Sequence, residues 1–101
     1  MNGRLRFRLN GAVLGGEVVA FLRRLDDGRW SAKLNRADEP TGVGPTKREA
    51  VRSAMRSGLM TADRARSVRL HEWSDDRLWR AAKTGLASDR WLRAALFAAP
   101  P

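Results

Sequence analysis

The sequence predicts an α+β fold: an antiparallel three- to four-stranded sheet packed by one helix, with two C-terminal amphipathic helices after it. Three observations carry this expectation. The first third of the chain alternates polar and apolar residues between glycine-bearing turns, residues 46–57 change to helical spacing behind a capping signal, and two near-copies of one amphipathic segment follow.

The elements follow in order. Arg4-Leu5-Arg6-Phe7-Arg8-Leu9 alternates without a break, which directs Leu5, Phe7 and Leu9 inward and Arg4, Arg6 and Arg8 outward. Asn10-Gly11 supplies the residue pair of a two-residue hairpin, and Gly15-Gly16 marks a second bend or bulge. Residues 17–25 are rich in β-formers and apolar in the middle, as a central strand covered on both faces would be. After the turn Asp26-Asp27-Gly28, residues 29–35 alternate again, with Trp30, Ala32 and Leu34 on one face and Ser31 and Lys33 on the other, completing a meander. The polar stretch from Arg36 to Pro45, punctuated by Pro and Gly, reads as a connection.

Thr46 then caps a helix, with Glu49 three residues on in capping-box position. Its buried face is Ala50, Val51, Ala54 and Met55, its exposed edge carries Arg48, Arg52 and Arg56, and Gly58 ends it as a left-handed residue. Thr61 caps a short helix through Ala65, and extended chain follows from Ser67 to Trp73, where alternation makes a last strand compete with a longer helix. Ser74 with Asp75-Asp76 caps a helix to about Thr84, and Ser88-Asp89 repeats the device for a helix to about Ala99. The segments 76–82 and 89–95 are the same seven residues with Leu and Trp exchanged.

The 101 residues fit one domain, 1–101, with the sheet and first helix in 1–60 and a helical extension in 61–101. The absence of Cys excludes disulfides, thiolate metal sites and cysteine nucleophiles, and a single His, His71, gives no spacing for a metal cluster; no cofactor is expected. No apolar run approaches the roughly 20 residues that cross a bilayer, and the start carries no apolar leader, so no membrane association and a cytoplasmic location are expected.

The charge says more. Twenty basic residues, seventeen of them Arg, against eleven acidic ones give +9, and both halves of the chain are positive. Guanidinium forks match phosphate, so this balance points to a polyanion, although Arg- and Ala-favouring codon composition would raise Arg without any binding role.

Gly28, Trp30, Ala32, Gly44 and Thr46-Lys47-Arg48-Glu49-Ala50 stand where the N-terminal domain of HicB-type antitoxins has its acidic-Gly turn, aromatic, Ala, pre-helix Gly and Thr-x-x-Glu-Ala start. Residues 17–60 therefore resemble that family, whose three-strand, one-helix unit is related in shape to the double-stranded-RNA-binding fold. The resemblance implies that architecture and a nuclease-blocking protein partner. The chain departs from the family's pattern in keeping one loop proline, Pro40, in adding an Arg-rich strand in front, and in its positive charge, opposite to that expected of a partner of a basic RNA-cleaving toxin.

Two basic sets are candidates for contact with nucleic acid: Arg4, Arg6 and Arg8, about 6.6 Å apart along a strand, with Lys33; and Lys47, Arg48, Arg52 and Arg56 on the helix. Each set equally suits a solvated or aggregation-blocking surface. Trp79 and Trp91, on the duplicated helices, are candidates for contact with a partner or with a second copy in a homodimer, and core packing competes with that role. His71-Glu72 and the adjacent acid pairs offer no facing acid–base geometry, because neighbouring side chains point apart. The expected function is a small non-catalytic basic protein that binds RNA, DNA or a nucleic-acid-containing protein complex. The alternative is an antitoxin-like or phage-type inhibitor module that blocks a nuclease complex. Convergence of the two basic sets on one surface is the premise of the first reading.

Overall fold

A computed structural model describes residues 4–36, 39–59 and 70–84. The fold is α+β. Five strands, β1 (Arg6–Arg8), β2 (Gly11–Leu14), β3 (Glu17–Arg24), β4 (Trp30–Leu34) and β5 (Thr41–Gly44), form one antiparallel sheet in sequence order. Two helices, α1 (Lys47–Leu59) and α2 (Asp75–Thr84), cover one face. No described helix is long and apolar enough to cross a membrane.

Short polar turns set the register. Arg8 pairs with Gly11, so the first turn is Leu9-Asn10, one residue earlier than Asn10-Gly11. Leu9 therefore does not point inward as the alternation implied: it sits in the turn at φ 48° and is 91% exposed. Gly15 and Gly16, both at positive φ, make the second hairpin turn, where side chains would be strained. In the third, Gly28 takes φ 88° and Arg29 donates to Asp27 from its backbone N–H at 3.0 Å and its Nε at 2.6 Å. Those two bonds, the backbone one foremost, hold the Asp27 carboxyl below the usual Asp range.

In β3, Ala20 pairs with Ala12 and Val18 with Val13, which leaves Val19 as an extra residue. This β-bulge turns Val19 and Ala20 both toward the core, where neither is exposed. Leu5, Ala12, Leu14, Leu22, Ala32 and Leu34 join them from the sheet. From above come Ala50, Val51, Ala54 and Met55 of α1 and Leu78, Trp79, Ala81 and Ala82 of α2.

The Thr46 hydroxyl accepts the Glu49 N–H at 3.1 Å, the N-cap bond the sequence announces. The helix continues through Gly58 to Leu59, so Gly58 does not end it. Ser74 caps α2 in the same way, accepting the Arg77 N–H at 3.1 Å. Residues 70–72 form a 3-10 turn and not part of a strand. The expected short helix at 61–65, the extended chain at 67–69 and the final helix at 88–99, with Trp91, lie outside the described residues.

The largest departure from expectation is β5, within a stretch read as connection. Its inward residues are Gly42 and Gly44, and α1 lies directly on them. A Cβ on Gly42 would stand 2.2 Å from the Ala54 nitrogen, and one on Gly44 2.7 Å from that of Ala50. These glycines bring helix and strand to backbone contact, and they also erase the alternation by which a strand is read.

Candidate nucleic-acid interface

The outer face of the sheet carries no helix among the described residues. The expectation that β3 is covered on both faces is therefore corrected: Val18 is 42% and Phe21 49% exposed, with Arg23 beside them. The pairing aligns outward residues in rows across the strands. One row runs Arg8, Gly11, Phe21, Lys33, Thr41; a second Arg6, Val13, Val18; a third Arg23, Ser31, Val43. Adjacent members stand about 4.8 Å apart.

Gly11 contributes no side chain to the first row. Together with Gly15 and Gly16 it lines a concavity of about 920 Å³ whose walls include Arg4, Arg6, Arg8, Val18 and Phe21. A smaller hollow of about 290 Å³ continues across Phe21, Arg23, Ser31, Lys33 and Thr41. The exposed face thus has an apolar floor with cations around it. Among the described residues, no carboxylate lies within ion-pair distance of Arg4, Arg6, Arg8 or Arg23. Lys33 approaches Glu39 at 3.9 Å, an exposed pair of little energetic weight.

The helix set of basic residues lies elsewhere. α1 packs on the opposite face of the sheet, so the two sets do not converge. Arg52, expected on a solvated edge, is 7% exposed, and its Nη1 donates to Asp75 Oδ1 at 2.7 Å. Its Nη2 donates to the Trp73 carbonyl at 2.7 Å. Arg48 reaches the other oxygen of Asp75 at 3.0 Å, and the Leu5 N–H donates to that same oxygen at 3.1 Å. Lys47 stands 4.9 Å from the centre of the Trp30 ring, which Arg24 also approaches at 5.9 Å, while Arg56 is half-buried. Of this set, Arg52 is held in the interior by a carboxylate that sequence spacing could not connect to it.

Trp79 is an interior residue, 3% exposed, with its indole N–H on Glu17 Oε1 at 3.0 Å, and not an exposed anchor for a partner. His71 and Glu72 approach each other at 3.9 Å across exposed surface, closer than neighbours were expected to come. Of the residues on this face, sequence reasoning named Arg4, Arg6, Arg8 and Lys33 as candidates and did not name Phe21, Val18 or Arg23. The signal was present in Phe21-Leu22-Arg23, where an apolar and a basic residue flank the one that points inward.

Compared with known proteins, the chain matches no family model, no curated protein and no solved structure at a significant level.

Proposed function

We propose that this protein binds nucleic acid, without turning it over, through the open face of its sheet. The observation that carries the reading is the gathering of Arg4, Arg6, Arg8, Arg23 and Lys33 around Val18 and Phe21 on a face no described helix covers. Four of these five cations have no carboxylate partner among the described residues, so their charge is available to phosphates. The premise of two converging basic sets does not hold: the reading rests on the strand residues with Arg23, while the helix set lies on the other face, with Arg52 buried against Asp75.

Fluorescence anisotropy with labelled oligonucleotides tests this reading. Four to five phosphate contacts predict binding that weakens about a hundredfold between 50 and 200 mM salt. Replacing Arg6 and Arg8 together by Ala lowers the logarithmic salt slope by about two. Absence of binding at the lower salt overturns the reading and leaves the inhibitor-type, protein-binding one.

A further inference from the structure

We infer that the nucleic acid this face takes is single-stranded, with an unpaired base seated in the Gly11-floored concavity against Phe21. This rests on the nucleic-acid reading above and specifies the form of its ligand.

Two features of the face separate a single strand from a duplex. A duplex keeps its base faces inside its own stack and presents phosphates, sugars and base edges, so it offers no base face to the apolar centre formed by Val18 and Phe21. An unpaired base has an exposed π-face that covers an aromatic ring, whatever its sequence. The register also provides room. Arg8 and Phe21 stand in one row two strand spacings apart, roughly 10 Å, and the residue between them is Gly11. Any side chain at position 11 would project into this gap, whereas glycine leaves it open beside the ring.

Cations stand on both sides of Phe21. Arg6 and Arg8 lie on β1 and Arg23 and Lys33 on β3 and β4, so a strand crossing the sheet meets a positive group before and after the ring. The five strands span roughly 19 Å, which accommodates about four nucleotides. The same charge opposes a second copy of the chain as occupant, because Arg6, Arg8 and Arg23 would face their own equivalents without carboxylates to pair them.

The test compares a 12-nucleotide single strand, as RNA and as DNA, with a 12-base-pair duplex, on the full chain at fixed salt. Single strands of either sugar are expected to bind at least tenfold more tightly than the duplex. Phe21→Ala is expected to weaken single-strand binding about tenfold, to leave the salt slope unchanged and to leave duplex binding unchanged. Phe21 is half exposed, so circular dichroism should report an unaltered fold. As a second readout on the unmodified protein, Phe21 ring protons should move upfield in NMR spectra when oligoadenylate, whose bases carry a strong ring current, is added. Equal affinity for both forms, with Phe21→Ala silent and Arg6→Ala still weakening both, overturns the single-strand inference and leaves the wider reading standing. No binding of any oligonucleotide overturns both, and an acidic protein partner then becomes the occupant to seek.

Discussion

Asp75 joins three parts of the molecule through one buried carboxylate. It begins α2, accepts the Leu5 N–H beside β1, and pairs with Arg48 and Arg52 of α1. Truncating it would take the carboxylate away from the buried Arg52 guanidinium, from Arg48 and from the Leu5 N–H at once. Asp75→Ala is expected to destabilise the fold by about 3–5 kcal/mol in urea unfolding. Replacing both residues with apolar ones, as in Asp75→Leu with Arg52→Met, should recover only part of that loss, because the Leu5 N–H and the Trp73 carbonyl still lose the partners they have here. None of this was legible in the sequence. Asp75 read as an acid in the first turn of a helix behind the Ser74 cap, which it is, and Arg52 as one of three evenly spaced surface arginines. Their meeting depends on how α1 and α2 cross, and residue spacing along either helix carries no information about that.

At the scale of elements, legibility followed side-chain patterning. Helix α1 was readable because Thr46, Ala50, Val51, Ala54 and Met55 all state the same thing, a cap and one buried stripe. Strand β4 was readable from Trp30, Ala32 and Leu34. Strand β5 was not, because its inner positions are glycines chosen by the helix above them. Gly42→Ala is the sharpest test of that contact. Its new Cβ would meet backbone atoms of α1, which cannot turn aside as a side chain could, and the helix must lift from the sheet. A loss of about 3 kcal/mol or more is expected by thermal or chemical unfolding, a large cost for one methyl group. A comparable Cβ at Gly15 would meet nothing within 4 Å, so any loss there reflects its positive φ alone.

Across the whole molecule, the sequence showed how much positive charge there is but not where it acts. The helix side spends several of its cations internally: Arg52 on Asp75, Lys83 near Glu17 at 3.4 Å, and Arg77 over the Trp73 ring at 4.0 Å. On the open sheet face, Arg4, Arg6, Arg8 and Arg23 have no carboxylate within ion-pair distance among the described residues, and Lys33 has only Glu39 at 3.9 Å. Two double variants that remove the same formal charge should therefore differ. Arg77→Ala with Lys83→Ala is expected to weaken oligonucleotide binding less than threefold at 150 mM salt, where the screening length is about 8 Å. Arg6→Ala with Arg8→Ala should weaken it tenfold or more in the same anisotropy titration. Equal effects would mean that net charge, and not its position, governs association.

The bulge at Val19 decides which residues this protein shows to solvent. Val18 and Phe21 are three positions apart, an odd interval that in an unbroken strand would send them to opposite sides. The extra residue changes the parity, so both emerge on the same side and Arg23 follows them. One residue inserted between Ala20 and Phe21 would reverse it, turning the ring inward and pushing Leu22 into water without altering a single side chain. For this surface, the count of residues along β3 matters as much as their chemistry, and length variation there would erase the interface more completely than any point substitution.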